Sequence, residues 1–117
     1  MNIEEIRDYF LSKKGSSECM PFDDETLVFK VLDKMFGLLN LEGDLHINLK
    51  CDPDKALELR EHYPCIIPGY HMNKKYWNSV IIDGSLSTGF IHELIDHSYD
   101  EVVKKMTGKQ QQLLKTI

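Results

Sequence analysis

The sequence predicts a single α+β domain in two layers, with an antiparallel sheet packed against helices. Three observations support this prediction. The 117 residues are 42% hydrophobic and 28% charged, which is typical of one globular domain. Strand-like segments follow one another from about residue 26 to residue 50 with short turns between them, which indicates an antiparallel meander. Helical patterns precede and follow this region, so the domain spans residues 1–117.

A first helix is predicted at the start of the chain. Asn2 stands where a helix cap is needed, and Glu5, three residues later, completes a capping box. The helix should end before Gly15. Its apolar residues recur at helical spacing, at Ile3, Ile6 and Phe10.

The meander follows. Residues 27–32 are rich in strand-forming side chains, and a tight turn at Asp33 and Lys34 leads into a second strand over residues 35–41. After a turn at residues 42–44, apolar and polar residues alternate strictly from Leu45 to Lys50. This period of two predicts a strand with one face toward solvent.

The second half is predicted to carry one more strand and three helices. Asp52 and Pro53 begin a helix that runs to about Tyr63, because Asp caps free amides and Pro suits the first helical position. Residues 64–76 lack periodicity and predict a long ordered loop, and residues 77–82 predict a strand.

The C-terminal region predicts two further helices. The first is capped by Ser87 or Thr88, and the second begins at Ser98 in a capping box and stops at Gly108. Residues 109–117 form either a last helical turn or a loose tail.

Charge is distributed unevenly along the chain. The formal net charge is −5, which argues against a simple polyanion binder. Fourteen of the nineteen acidic residues lie within residues 1–61, whereas residues 62–82 and 102–117 contain none. If these two acid-free segments meet on one surface, they form a basic patch on an acidic protein.

Cysteine usage favours a reducing compartment. The three cysteines are odd in number and widely spaced, so we interpret Cys19, Cys51 and Cys65 as reduced thiols that pack in the fold. No apolar run approaches the ~20 residues of a membrane span, and the first residues lack a signal-peptide pattern. We expect a cytoplasmic protein.

Common catalytic signatures are absent from the sequence. His71 and Cys65 suggest a nucleophile or metal site, but a histidine bonded to loop backbone is the simpler interpretation. His92 and His97 lack the spacing of metal ligands, so both are predicted at the surface. Ser98 and His97 are neighbours at one helix end, so they cannot converge on one reacting atom as members of a catalytic triad. We expect no enzyme activity, metal or cofactor. If catalysis occurs, His71 is the first candidate general base.

Residues 70–78 contain the strongest candidates for ligand binding. Tyr70, Tyr76 and Trp77 offer flat faces, two lysines offer charge for phosphate, and Asn73 and Asn78 offer hydrogen bonds. The alternative is that the aromatic residues anchor the loop in the core while the lysines keep it soluble.

Lys30 and Lys50 could share one sheet face with His46 and Asn48; a solvated face explains the same pattern.

Six segments in order resemble the signature of the MmcQ/YjbR family. They cover nearly the whole chain, and the longest is an eleven-residue block. The segments are residues 20–23, 28–31, 34–36, 48–53, 68–78 and 98–99, which read MPFD, VFKV, KMF, NLKCDP, PGYHMNKKYWN and SY.

The resemblance implies a small α+β fold that is likened both to secretion chaperones and to a double-wing DNA-binding arrangement. The turn before Lys34 departs from the family pattern, because Leu32 and Asp33 stand where the family usually has a glycine. The acidic run Asp23, Asp24 and Glu25 disfavours phosphate contacts at the edge beside the first strand.

Two hypotheses follow: a DNA-binding or other nucleic-acid-binding protein, and a protein-binding or chaperone-like module, either one a monomer or a homodimer. We predict that Lys74 and Lys75 face solvent and that replacing both with alanine flattens the salt dependence of DNA affinity by roughly two units. The candidate nucleic-acid-binding residues are Lys30, Lys50, Tyr70, His71, Asn73, Lys74, Lys75, Trp77 and Asn78.

Overall fold

Six strands and four helices make up the fold in the computed structural model, which describes residues 1–117. The strands are β1 (Ser16–Cys19), β2 (Thr26–Val31), β3 (Lys34–Asn40), β4 (His46–Lys50), β5 (Ile66–Pro68) and β6 (Trp77–Ile81). The helices are α1 (Ile3–Leu11), α2 (Pro53–His62), α3 (Thr88–Lys104) and α4 (Gly108–Thr116).

The strands form one sheet in the order β1-β2-β3-β4-β6-β5. Every neighbouring pair is antiparallel. The predicted α+β class and the antiparallel meander from β2 to β4 are therefore confirmed. The short strands β1 and β5 lie at the two edges of the sheet.

The helices cover one face of the sheet and leave the other open. On the covered face, Phe29, Leu39, Ile47 and Val80 pack into the main core. On the opposite face, which we call the open face, Val28, Leu38 and Trp77 form a second, smaller apolar cluster. Alternation along each strand sends successive side chains to opposite faces, so the period-two pattern of the meander determines this division.

Two edge strands were not predicted. β1 is four residues long, and its sequence, Ser-Ser-Glu-Cys, has little strand propensity. β5 lies inside the predicted loop of residues 64–76 and ends in Pro68. Proline is tolerated at a sheet edge, where its missing N–H is not required by a neighbouring strand. Pairing with β2 and β6 therefore creates both strands.

The predicted caps of α1, α2 and α3 are confirmed. Asn2 and Glu5 form the capping box of α1, and Asp52 accepts a hydrogen bond from the Lys55 amide at the start of α2. Ser87, rather than Thr88, caps α3. In the turn between β2 and β3, Leu32 has a φ of 54°, in the left-handed region that glycine favours.

The prediction that Ser98 starts a new helix is wrong. α3 is one continuous helix, and Ser98 lies inside it with no exposed surface. Its hydroxyl donates a hydrogen bond to the Phe36 carbonyl and accepts one from the Lys50 amide at 2.8 Å. The β3–β4 pairing ends at Gly37 and Leu49, so Ser98 connects the two strands just beyond the last pair.

We expect Ser98→Ala to lower the free energy of unfolding by about 2 kcal/mol, because it leaves the Phe36 carbonyl and the Lys50 amide without partners. Urea unfolding followed by circular dichroism measures this change. Ser17→Ala, at an exposed position of β1, is the control and should change stability by less than about 0.5 kcal/mol. Equal stability of the two variants would contradict the bridging role of Ser98.

The chain ends in an ordered helix. Thr107 and Gln110 form a capping box, so α4 begins at Gly108 and the prediction of Gly108 as a helix stop is wrong. Residues 109–117 were predicted as a helical turn or a loose tail; α4 extends to Thr116 and buries Leu114 in the main core. No helix in the structure has the length and apolar character that a membrane crossing requires.

Candidate nucleic-acid interface

A basic cleft lies at one end of the open face, where β3 begins and β4 ends. Its volume is about 450 Å³. Three of its eight lining residues are lysines, Asp33 is its one acidic residue, and apolar side chains form the rest. The lining residues are Asp33, Lys34, Met35, Lys50, Trp77, Val102, Lys105 and Met106.

The two acid-free segments of the sequence meet at this cleft. Trp77 belongs to the segment of residues 62–82, whereas Val102, Lys105 and Met106 belong to the segment of residues 102–117. The ammonium of Lys105 lies 4.8 Å from the centre of the Tyr76 ring. The two acid-free segments therefore do meet on one surface and form a basic patch there.

Lys50 is the partly buried lysine of the cleft. Its ammonium lies 5.9 Å from the centre of the Trp77 ring. Partial burial, followed by repulsion from Lys105, holds the pKa of Lys50 below its ordinary value, and Lys34 acts in the same direction. Lys105 and Lys34 thus lie close enough to Lys50 to repel its ammonium, while Glu101 attracts it, and an anion bound in the cleft would offset the repulsion.

Tyr76 extends the basic surface beyond the cleft. Lys75 lies over its ring, 5.3 Å from the centre, as Lys105 also does from its own position. Two cations contacting one aromatic ring hold that ring by cation–π attraction. Lys75 and Lys105, from the two acid-free segments, are therefore neighbours.

Arg60 of α2 fixes the segment that carries these aromatic residues. Its Nε donates to the Asn78 side chain at 2.6 Å, and its terminal nitrogen donates to the carbonyls of Lys74 and Trp77. Arg60 is a positioning residue that sequence reasoning missed, since a lone arginine on a helix gives no signal of its partner.

The structure separates the predicted site residues into different environments. Asn78 is 2% exposed, and its side chain also donates to the Ala56 carbonyl. Its prediction as a contact residue fails, because both ends of its amide are occupied inside the fold. Trp77 is 7% exposed, so it is mainly a packing residue that also lines the cleft. Lys74 and Lys75 both face solvent, as predicted.

Other predicted residues lie outside the basic cleft. The Asn73 side chain accepts from the Lys75 amide and shapes its own turn. Lys30 is on the open face, opposite Met35 in the β2–β3 pairing, but does not line the cleft. Tyr70 and His71 line a different hollow of the open face, together with Asp23 and Glu25.

The Cys65 and His71 pair is not assembled. Cys65 is 5% exposed and lies in the main core, whereas His71 is exposed on the open face. The surface prediction for His92 and His97 is also wrong, because both are half-buried. His92 stacks on Tyr9 at 3.6 Å, and the ring of His97 accepts a hydrogen bond from the Asp52 amide.

Comparison with known proteins identifies the family. The family model of YjbR matches residues 11–101, which is most of the chain. The chain belongs to the YjbR family. The YjbR relative from Escherichia coli strain K12 is 31% identical over 115 residues, covering 97% of this chain and 98% of its own. YbdF from Escherichia coli O157:H7 is 44% identical over 94 residues, covering 80% and 77%. Both relatives are described as uncharacterized.

Solved structures share the YjbR fold. The Deinococcus radiodurans protein DR2400, a DUF419 domain, superimposes with a TM-score of 0.91 at 40% identity, covering 97% of this chain and 88% of its own. A Pseudomonas syringae protein superimposes with a TM-score of 0.74 at 30% identity, covering 86% and 98%. The predicted YjbR resemblance is thus confirmed in sequence and in fold.

The basic cleft can bind an anion next to a flat apolar surface. Lys34 and Lys105 present exposed ammonium groups, and Lys50 supplies a third from the sheet. Sequence reasoning did not select Lys34 or Lys105 as site residues, although the acid-free segment containing Lys105 was noted. Their proximity depends on packing the end of α3 against the β2–β3 turn, which no local pattern indicates.

Proposed function

We propose that this YjbR-family protein binds nucleic acid through the basic cleft and acts without catalysis. The observation that supports the proposal is the convergence of Lys34, Lys50 and Lys105 around Trp77, on a chain whose net charge is −5. Phosphate contacts supply most of the affinity of non-specific nucleic-acid binding, and lysine is a common phosphate ligand.

The number of lysines at this surface favours a phosphate backbone over a single carboxylate. Three ammonium groups line one hollow, and Lys75 continues the basic surface past Tyr76. Partial burial first, and then repulsion from Lys105 and Lys34, lower the pKa of Lys50, so a polyanion bound beside these lysines would offset the repulsion at Lys50. Contacts with the phosphate backbone give an affinity that falls with salt concentration and depends little on the base sequence.

We expect the double substitution Lys34→Ala and Lys105→Ala to flatten the slope of log affinity against log salt by about two units on duplex DNA. Each phosphate contact contributes about 0.9 to this slope through counterion release. Fluorescence anisotropy of a short labelled duplex, titrated at several salt concentrations, measures it. Both side chains are exposed, so the fold should be retained.

The matched control is the double substitution Lys55→Ala and Lys115→Ala. These exposed lysines lie on α2 and at the end of α4, and their loss changes the net charge by the same amount. The control should keep the wild-type slope. If the wild type fails to bind duplex and single-stranded probes at low salt, or if both double variants have equal slopes, the basic cleft is not a nucleic-acid interface.

A further inference from the structure

A second hollow, which we call the acidic groove, lies at the opposite end of the open face from the basic cleft. It has a volume of about 550 Å³ and runs over the end of β3 and the start of β4. Asn40, His46 and Tyr70 are shared with an adjoining hollow of about 290 Å³, so the two form one elongated groove.

The charge of this groove is the reverse of that of the basic cleft. Asp23 and Glu25 line its main part, Glu42 and Asp44 line its extension, and neither part contains a lysine or an arginine. Asp23 uses one oxygen to accept the amides of Glu25 and Thr26, at 2.9 and 2.8 Å. Its second oxygen has no partner. A polyanion is repelled here, whereas a cationic group is attracted.

Exposed aromatic side chains form the rim. Phe22 and Tyr70 are each 64% exposed and lie on two loops that border the same groove. Large apolar side chains exposed together on a groove indicate an interaction surface, and aromatic faces attract cations. The guanidinium of arginine stacks on such faces and pairs with carboxylates better than an ammonium does.

One buried side chain presents an unused donor to the groove. Asn48 is 7% exposed. The Tyr70 amide donates to the Ser79 hydroxyl at 3.0 Å, and this hydroxyl in turn donates to the Asn48 oxygen. This bond occupies the Asn48 oxygen, whereas the Asn48 NH₂ group, on a residue that lines the groove, donates to no group of the protein. A peptide carbonyl is a suitable acceptor for it.

We propose that the acidic groove binds an extended peptide segment that carries arginine. In this arrangement a guanidinium contacts the carboxylates of Asp23 and Glu25 beside Phe22 and Tyr70, and a backbone carbonyl accepts from Asn48. The elongated groove suits an extended chain, and its four carboxylates complement two or more basic side chains. This inference concerns a different surface from the basic cleft and does not depend on nucleic-acid binding.

The test uses a fluorescent peptide of alternating glycine and arginine, titrated with the full-length protein in an anisotropy assay. The comparison peptide has citrulline in place of arginine, which keeps the shape and removes the charge. We expect binding of the arginine peptide, with at least tenfold weaker binding of the citrulline peptide. In a nitrogen–proton correlation spectrum, the Asn48 side-chain signal should shift with the arginine peptide.

The protein variant combines Asp23→Asn and Glu25→Gln, which retains the loop-capping oxygen of residue 23. We expect this variant to bind the arginine peptide about tenfold more weakly. The matched control is Glu58→Gln with Glu61→Gln on α2, which makes the same charge change outside the groove and should bind like the wild type. Tyr70→Ala should also weaken binding, because the cation loses its aromatic contact.

Three outcomes would overturn the inference: no binding of the arginine peptide, equal binding of the citrulline peptide, or equal weakening by the two acidic double variants. The Lys34→Ala and Lys105→Ala variant separates the two proposals. It should flatten the salt dependence of DNA binding and keep peptide binding, so either surface can fail its test without the other.

Discussion

Gly37→Ala is expected to lower the free energy of unfolding by about 3 kcal/mol. A β-carbon at this position of β3 would lie 2.1 Å from the nearest ring carbon of Phe10. That ring has no exposed surface, stacks on Phe29 at 4.2 Å and meets the Phe36 ring edge-on at 5.5 Å. Because the Phe10 ring has no room to move away, the added methyl group overpacks the centre of the core.

Urea unfolding of Gly37→Ala, Phe10→Leu and the double variant tests the cause. If the clash with Phe10 is responsible, the double variant should be about as stable as Phe10→Leu alone, because the smaller side chain makes room for the methyl group. Gly89→Ala is the control, since its β-carbon meets no atom within 4 Å, and stability should change by less than about 1 kcal/mol. Additive losses in the double variant would contradict the proposed contact.

Trp77→Ala is expected to cost about 4 kcal/mol and to lower the melting temperature by roughly 15 °C. Trp77 is 7% exposed and forms the smaller apolar cluster with Val28 and Leu38, against which Met72 and Tyr76 pack. Its removal leaves a large cavity beneath the loop that precedes β6. Thermal unfolding followed by circular dichroism measures the loss.

The binding assay separates this structural role from a stacking role. Trp77→Phe should recover much of the stability and retain DNA affinity, because most of the ring's packing is retained. Tyr70→Ala, at an exposed position, should change stability by less than about 0.5 kcal/mol. If Trp77→Ala instead weakens single-strand binding and leaves the melting temperature unchanged, Trp77 is a stacking residue and not a core anchor.

Local patterns were sufficient for most of the fold. Alternation from Leu45 to Lys50 predicts β4, and capping residues such as Asn2 and Asp52 predict the starts of helices, because these signals depend on the nearest neighbours in sequence. The edge strands β1 and β5 were missed because pairing partners, and not their own propensities, stabilise them. Ser98 was misassigned because its hydroxyl bonds to β3 and β4 instead of its own helix.

The candidate site was predictable only in part, because contacts between residues far apart in sequence leave no local pattern. Lys50 and Trp77 were selected from sequence, and the absence of acidic residues from two segments indicated that a basic patch could form. Lys34 and Lys105 reach the cleft from the β2–β3 turn and the end of α3, which are far apart in sequence. Asn78 was selected for its chemistry, but Arg60 and Ala56 occupy both ends of its amide. Such contacts require the three-dimensional arrangement of α2, α3 and the sheet.

The separation of the basic cleft from the acidic groove along β3 and β4 gives the open face an electric dipole parallel to these strands. The electric field of a nearby polyanion exerts a torque on this dipole, which turns the basic cleft toward the polyanion and the acidic groove away from it before contact is made. A protein of net charge −5 can therefore be captured in one orientation despite overall repulsion. The rate of capture should fall steeply with ionic strength, because screening removes the torque once the Debye length is shorter than the molecule.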